Sequence, residues 1–183
     1  MKKKVVLLGD SIRLIGYGTL LPKITEDFLE IWQPDENSRF VQFVLREIFD
    51  HSAKIDEADI VCFNSGEWDV CNIFGDGTFT EPDYYVSQLV RITKILQKKG
   101  KTVVFSTTTP VRNDNQFNSN KDIKYFNELA VNALTPMGVI INDLYSVVMY
   151  DLEVNIHEDD KIHLTEQGIR LCAEATANLL RTL

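Results

Sequence analysis

The sequence predicts an α/β protein: a three-layer α/β/α sandwich around a parallel sheet of about five strands. Two observations point to this class. Short apolar runs, most of them rich in Val, Ile and Phe, have the composition of strands that are covered on both faces. Between them lie longer segments whose apolar residues recur at helical spacing. Strands that alternate with helices pair in parallel, and the connecting helices cover both faces of the sheet.

Five apolar runs are predicted to be strands because each is too short for a helix. They are residues 4–8, 28–32, 59–65, 102–107 and 139–142.

Four longer segments are predicted to be helices, at residues 41–49, 82–98, 120–134 and 165–183. In the second of them Pro82 stands in the first turn, where proline is tolerated, and Gly100 follows the end. Thr165 is a typical helix cap at the start of the last one.

The composition limits the possible partners and setting of the protein. With 183 residues, the chain has the usual size of one domain, so residues 1–183 are predicted to form a single domain. A net charge of −8 argues against a nucleic acid partner and against an anionic membrane. No run approaches the ~18 apolar residues of a membrane span, and the apolar run at residues 5–8 is too short for a secretory signal. The 3 widely spaced cysteines suggest neither a disulfide framework nor a zinc site, so we expect a cytoplasmic protein.

In open parallel sheets, functional sites lie beyond the carboxyl ends of the strands. Three short segments follow predicted strands in this way, at residues 9–11, 66–69 and 108–110. The first is Gly9-Asp10-Ser11, in which the glycine allows a tight bend. A serine hydroxyl at such a place becomes a nucleophile when a base removes its proton. Taken alone, Asp10 and Ser11 are more often helix-capping residues than parts of an active site, because Ser and Asp are preferred cap residues.

A second feature lies near the C-terminus, where residues 159–163 are Asp-Asp-Lys-Ile-His. His163 is a candidate general base, because an imidazole accepts a proton near neutral pH. A carboxylate three residues earlier can reach the other ring nitrogen and hold the imidazole in the required tautomer, so the spacing favours Asp160 over Asp159. Two alternatives are a polar loop before a helix and a metal site built from His157, Glu158, Asp159 and His163, although that spacing fits no zinc pattern.

Together, Gly9-Asp10-Ser11 after the first strand and Asp160-x-x-His163 before the last helix resemble the GDSL/SGNH hydrolase family. The resemblance covers nearly the whole chain. It implies a flavodoxin-like sandwich, a catalytic triad of Ser11, His163 and Asp160, and ester hydrolysis with no metal and no cofactor. There is no Gly-x-Ser-x-Gly motif, which disfavours the larger α/β-hydrolase fold.

The main departure from the family lies in its Gly-x-Asn-Asp block, whose Asn helps to hold the oxyanion. Here the block is Gly66-Glu67-Trp68-Asp69, with Trp68 at the position of the Asn. Three replacements are open: the side chain of Asn64, the indole N–H of Trp68, or the backbone N–H of Ser11 with a second loop N–H near Gly66. We favour Asn64, because it stands at the end of its strand; a satisfied buried amide is the alternative.

A second block of the family supplies a glycine N–H after the second strand. No glycine lies between Gly18 and Gly66, so Asn37 or Ser38 is the candidate donor at this place.

The resemblance implies a small-molecule ester substrate with a short acyl group. We expect acetyl on a carbohydrate, because several aromatic residues are available to stack on a sugar ring: Tyr17, Trp32, Trp68 and Phe74. Arg13 is a further candidate, to meet a negative group of the substrate. Two other classes stay open. One is a ligand-binding protein on the same fold that has lost catalysis; the other is an unrelated flavodoxin-like or receiver module, in which Asp10 would matter and Ser11 would not.

Overall fold

The strands predicted from the sequence form one sheet in the computed structural model, which describes residues 2–183. All of its strand pairs are parallel and their order is β2-β1-β3-β4-β5. The strands are β1 (Lys3–Leu8), β2 (Leu29–Trp32), β3 (Ile60–Asn64), β4 (Thr102–Ser106) and β5 (Ile140–Asn142). The predicted strands agree with these bounds to within one residue at each end.

The four predicted helices are present as the longer helices of the structure. These are α2 (Val41–Asp50), α4 (Pro82–Lys98), α5 (Asn120–Leu134) and α8 (Glu166–Leu180). The last helix ends three residues before the predicted end, and the hydroxyl of Thr165 caps it by accepting a hydrogen bond from Gly168 N at 3.2 Å.

Four short helices were not predicted, because segments of four to six residues are too short to show a helical period. They are α1 (Leu21–Ile24), α3 (Ser52–Glu57), α6 (Leu144–Met149) and α7 (Leu152–Asn155). Among the residues described, no helix is both long enough and apolar enough to cross a membrane.

Helices cover both faces of the sheet, which confirms the predicted three-layer architecture. Along β1, Val6 and Leu8 are buried in the layer that contains α2, α3, α4 and α5. Val5 and Leu7 are buried in the opposite layer, with α1, α6, α7 and α8. This alternation follows from the period of two along a strand, so a strand covered on both faces must be apolar at every position.

The strand order reverses at β1, which has β2 on one side and β3 on the other. At such a switch point the loops that follow the two neighbouring strands leave in opposite directions and open a crevice. Leu8 is in register with Phe63, so β1 and β3 end side by side. The fold therefore brings the segment that begins at Gly9 next to the segment that begins at Ser65.

Candidate active site

Ser11, His163 and Asp160 form one continuous line of hydrogen bonds at this crevice. The Oγ of Ser11 lies 2.9 Å from Nε2 of His163, and Nδ1 of the same ring lies 2.8 Å from Oδ2 of Asp160. Ser11 and His163 are 152 residues apart in the sequence, so only the fold joins them. A hydroxyl, an imidazole and a carboxylate in this order make an arrangement that can move the hydroxyl proton to the imidazole.

The two ends of the loop that carries His163 are joined by backbone hydrogen bonds. Ile156 and Leu164 form an antiparallel bridge, and His157 N donates to His163 O at 2.9 Å. Lys161, at the tip, has a φ of 65°, in the left-handed region that lets the chain turn sharply. This turn brings the Asp160 carboxylate back over His163.

Asp160 is oriented by the backbone as well as by the imidazole. Its Oδ1 accepts hydrogen bonds from Ile162 N and His163 N, both at 2.9 Å. Partial burial by itself raises the pKa of Asp160, but these backbone bonds and the bond from His163 outweigh it and bring the pKa below the ordinary value. Asp160 is therefore a carboxylate at neutral pH and a fixed acceptor for the imidazole N–H.

The neighbouring Asp159 does not reach His163. Its Oδ1 accepts from Asp160 N at 3.0 Å and lies 3.9 Å from Nδ1 of His157. Within residues 2–183, no group of three or more His, Cys, Asp or Glu side chains is close enough to hold a metal ion. The geometry thus selects Asp160 and gives the alternative metal site no support.

Gly9 allows the chain to turn from β1 into the site. It has a φ of 155°, and a Cβ at this position would lie 1.9 Å from Oδ1 of Asn64. A residue with a side chain would therefore collide with the end of β3. The segment after Ser11 begins as a π-helical turn at Ile12–Gly16, so Ser11 stands at the start of a helical segment. The first N–H groups of such a segment have no acceptor within it.

Asp10 lies beneath Ser11 and is fully buried. Its Oδ1 accepts a hydrogen bond from Ile12 N at 3.0 Å. Burial raises the pKa of Asp10, and the neighbouring Asn64 amide and the Ile12 N–H partly offset this shift. Asp10 thus stabilises the turn through a hydrogen bond in the protein interior. A fully buried carboxylate does not support the alternative of a receiver module, in which this residue would have to be accessible.

Arg13 is also fully buried, which corrects the expectation that it meets a negative group of the substrate. Its guanidinium donates to three backbone carbonyls: Pro34 O at 2.7 Å, Gly9 O at 2.9 Å and Glu36 O at 2.5 Å. It therefore ties the turn after β1 to the loop after β2. That loop carries Asn37.

Asn64, the favoured oxyanion donor from the sequence, lies away from the substrate side. Its side chain is buried against Gly9, and it does not line either cavity that contains Ser11. The geometry gives its predicted role no support. Gly66 is likewise buried below the surface of these cavities, where a Cβ would lie 2.0 Å from Oγ1 of Thr108. Its role in this structure is to let the chain after β3 pass close to Thr108.

Asn37 and Ser38, the two candidates after β2, separate clearly. Ser38 is buried; its N–H donates to Gly9 O at 3.0 Å and its hydroxyl to Oε2 of Glu47 at 2.5 Å. Asn37 lines the larger cavity beside Ser11. Its Oδ1 accepts a hydrogen bond from Arg39 N at 2.8 Å, so the amide oxygen is held by the backbone of its own loop.

A cavity of about 500 Å³ adjoins Ser11 and His163. Its wall is mainly apolar and is formed by Phe40, Trp68, Cys71, Ile73, Phe79 and Ile162, with Asn37, Glu67 and Asn118 as the polar members. Phe40 packs against Trp68 with ring centroids 5.7 Å apart, and against Phe79 at 4.9 Å. A second cavity of about 270 Å³ also contains Ser11 and His163, and its other polar side chains are His157, Asp159 and Asp160.

Trp68 is the one member of the proposed sugar-stacking set that lines the larger cavity. Tyr17 is buried in the core, and Trp32 packs against the core and the ring of His51. Phe74 is 79% exposed and lies on a neighbouring depression. The expectation that these aromatic residues together bind a sugar is therefore wrong for Tyr17 and Trp32.

Two polar residues of the larger cavity, Glu67 and Asn118, were not predicted from the sequence, nor were its apolar members Phe40, Ile73, Phe79 and Ile162. The signal for Glu67 was its place inside the matched block, as a charged residue close after an apolar strand. Asn118 had no such signal, because it lies in a loop 51 residues further along the chain. Asp69, the last residue of the block, has a structural role. Its carboxylate accepts hydrogen bonds from Val41 N, Ser65 Oγ and Thr80 Oγ1 and so links three segments of the chain.

No protein-family model and no curated protein sequence matches this chain. Solved structures do match it over nearly its full length. An acetyl xylan esterase, AlAXEase, is similar with a TM-score of 0.80 and 20% identity, over 97% of this chain and 99% of that one. A lipase/acylhydrolase from Enterococcus faecalis is similar with a TM-score of 0.82 and 15% identity, over 98% and 96%. A GDSL-like lipase from Bacteroides thetaiotaomicron is similar with a TM-score of 0.74 and 15% identity, over 98% and 88%.

Proposed function

From the fold that the chain shares with GDSL/SGNH hydrolases, we propose that it is a serine ester hydrolase acting through Ser11, His163 and Asp160. One observation carries the proposal: the hydroxyl, the imidazole and the carboxylate are joined by hydrogen bonds of 2.9 and 2.8 Å. Ser11 and His163 line two cavities, one for each half of an ester. A fold by itself does not imply an activity, so the proposal depends on these side chains.

The proposed reaction is a two-step acyl transfer. His163 Nε2 takes the proton of Ser11 Oγ while the oxygen attacks the ester carbonyl, and Asp160 stabilises the imidazolium. The ring then gives this proton to the leaving alcohol, and an acyl-enzyme on Ser11 remains. Water loses a proton to the same imidazole and attacks the acyl-enzyme. As the acyl–Oγ bond breaks and the acid leaves, the imidazolium returns this proton to Ser11 Oγ.

The negative oxygen of the tetrahedral intermediate needs fixed donors. We assign this role to two groups near Ser11. One is its own N–H, which stands at the start of a helical segment, where no intrahelical acceptor exists. The other is the side-chain amide of Asn37, which lines the larger cavity and whose oxygen is held by Arg39 N.

The larger cavity is proposed to hold the acyl group, because most of its wall is apolar. A volume of about 500 Å³ accommodates an acetyl group and leaves room for a longer chain. The smaller, more polar cavity then faces the alcohol half of the ester.

The first test is hydrolysis of p-nitrophenyl esters, with a fluorophosphonate probe whose attachment site is mapped by mass spectrometry. We expect the wild type to hydrolyse the ester and to carry the label on Ser11. Ser11→Ala should lose both. Ser87→Ala, at an exposed serine on α4, is the matched control and should keep both. No hydrolysis and no label in the wild type would refute the proposal and favour a binding protein on the same fold.

Acyl length tests the cavity assignment. Each buried CH₂ contributes about 0.8 kcal/mol, so butyrate, with two more than acetate, gains about 1.6 kcal/mol, or roughly 15-fold in kcat/KM. A kcat/KM for p-nitrophenyl acetate equal to or above that for the butyrate would show that the acyl group does not enter the apolar cavity. That result would favour the acetyl esters that were expected from the sequence.

A further inference from the structure

The segment that follows β4, residues 107–112, has no role in the proposed reaction, although it leaves the sheet at the edge where the site lies. Two side chains of α5 hold it in place. Asn127 accepts a hydrogen bond from Thr108 N at 2.8 Å and donates one to Thr108 O at 2.9 Å. Asn120 exchanges the same pair of bonds with Val111, at 2.9 and 2.8 Å. The segment is therefore fixed to the fold as far as its last residue.

That last residue, Arg112, reaches the start of the loop that carries His163. Its Nε and Nη2 both donate to Ile156 O, at 3.0 and 2.9 Å, and Nη2 also donates to Glu153 O at 2.7 Å. Ile156 is the residue that pairs with Leu164 and closes the loop. The Arg112 side chain is only 13% exposed. A guanidinium presents its donors in one rigid plane, which suits it to hold two carbonyls in a fixed arrangement.

The backbone of Arg112 holds the tip of the same loop, because its N–H donates to Lys161 O at 3.0 Å. One residue thus contacts both the start and the tip of the loop. Within residues 2–183, two further hydrogen bonds join residues 157–163 to distant segments: an ion pair from Lys161 to Asp114, and the bond from His163 to the proposed nucleophile. The Asp114 side chain is largely exposed, so water screens that ion pair. Arg112 is therefore the main external support of the loop.

The contacts inside the loop hold the acid against the base. Oδ1 of Asp160 accepts from Ile162 N and His163 N at 2.9 Å, so a shift of the whole loop leaves this pair intact. The external contacts instead fix the 2.9 Å between His163 Nε2 and Ser11 Oγ. Proton transfer depends on that separation, and a displacement of about 1 Å can cost roughly 100-fold in rate.

We propose that Arg112 is a positioning residue for the hydrolysis. By binding Ile156 O and Lys161 O, it holds the loop so that His163 Nε2 stays within hydrogen-bond distance of Ser11 Oγ. Arg112 lines neither cavity that contains Ser11, so it acts through the imidazole and not on the substrate. This inference rests on the proposed esterase function.

Two variants of Arg112 and one control test this role. Arg112→Met removes the guanidinium and keeps an unbranched apolar stem. Arg112→Lys keeps the charge, but a single ammonium cannot reproduce the planar set of donors. Arg91→Met is the matched control, because Arg91 is an exposed arginine of α4 that lines neither cavity.

Each change is made in the wild type and in Asp160→Asn. The measurement is kcat and KM for p-nitrophenyl butyrate at pH 7.5, with the rate of Ser11→Ala subtracted. The temperature is one at which thermal unfolding shows that every variant is folded.

In the wild-type background, Arg112→Met should lower kcat by roughly 30- to 100-fold and change KM by less than about threefold. Arg112→Lys should lower kcat by about tenfold, and Arg91→Met should keep it within about twofold.

The Asp160→Asn background separates positioning from a merely structural role. There Nε2 of His163 carries a proton and cannot accept that of Ser11, so the distance between them no longer limits the rate. Arg112→Met should then lower kcat by less than about threefold. A residue that only stabilised the fold would reduce the active fraction by the same factor in both backgrounds.

A kcat in Arg112→Met within about threefold of the wild type would overturn the inference, as would an equal loss in both backgrounds. If Arg112→Met does not fold at any assay temperature, Arg112→Lys decides by the same two criteria. The fluorophosphonate label distinguishes the two proposals. A labelled, active wild type with an unchanged kcat in Arg112→Met refutes only the role of Arg112; an unlabelled, inactive wild type refutes the esterase and this inference with it.

Discussion

Replacing Asp160 with asparagine removes the acceptor of the His163 N–H while it keeps the shape of the side chain. In the wild type, Oδ1 accepts from two backbone N–H groups at 2.9 Å and Oδ2 accepts from Nδ1 of His163 at 2.8 Å. The amide oxygen of an asparagine can keep the two backbone bonds, so the loop should stay folded. Its N–H₂ group then faces Nδ1, which favours the tautomer with the proton on Nε2. That ring nitrogen can no longer accept the proton of Ser11.

The size of the effect follows from this geometry. A fully buried carboxylate in such a triad is worth about 10⁴-fold in kcat. The Asp160 side chain is 44% exposed, so water partly replaces it. We therefore expect Asp160→Asn to lower kcat by roughly 10³-fold, or about 4 kcal/mol of transition-state stabilisation. KM should change little, because Asp160 acts on the imidazole and not on the bound ester.

The assay is steady-state hydrolysis of p-nitrophenyl butyrate at pH 7.5, with thermal unfolding as the check on folding. Asp27→Asn is the matched control, because Asp27 is exposed and lines neither cavity that contains Ser11; its kcat should change by less than about fivefold. A kcat in Asp160→Asn above one tenth of the wild-type value would refute the reasoning. So would an equal loss in Asp27→Asn.

Three further predictions concern the support of the site. Arg13→Met should lower the free energy of unfolding by about 3–5 kcal/mol in urea titrations, because three backbone carbonyls, two of them buried, lose their donor. Arg46→Met removes an exposed ion pair and should cost less than about 1 kcal/mol, and equal losses would contradict this reasoning. Gly9→Ala should lower both Tm and kcat, since its Cβ would lie 1.9 Å from Oδ1 of Asn64; a wild-type Tm would show that β3 moves aside freely. Finally, burial raises the pKa of Glu67 from 4.5 to about 8, so the folded state binds the Glu67 proton more tightly than the unfolded state does. The contribution of this proton to stability is complete below about pH 4.5 and is lost as pH rises through about 8. Glu67→Gln should therefore gain stability relative to the wild type from pH 5 to pH 9 in urea titrations, and a constant difference would mean that Glu67 is already ionised.

Most of the fold was predictable from local pattern. The apolar strands and the four longer helices have clear periods, and strand–helix alternation leaves few arrangements other than a parallel sheet. The four short helices were missed because their formation depends on what they pack against. The strand order was also beyond local pattern, since it depends on which crossover covers which face.

Less of the site was predictable, and the reason differs from residue to residue. Ser11, Asp160 and His163 stand in short motifs whose chemistry the sequence itself suggests, and the fold brings these three together. Asn64 was favoured for its place at a strand end, but the alternation of side chains and the close approach of Gly9 turn it into the interior. Arg13 resembled a substrate-binding cation, but its guanidinium instead satisfies carbonyls of two neighbouring loops.

The sequence by itself determined the α/β/α architecture, the serine at the end of β1 and the acid–base pair before α8. These properties depend on local period and on residue types a few positions apart. Only the tertiary structure decided that Asn37 and Glu67 line the cavity, that Asn64 does not, and that Asn118 fixes the carboxyl group of Glu67. Burial and hydrogen-bond partners come from segments far apart in the chain. A polar residue at a strand end can therefore be a ligand contact or an internal support, and only its neighbours in space determine which.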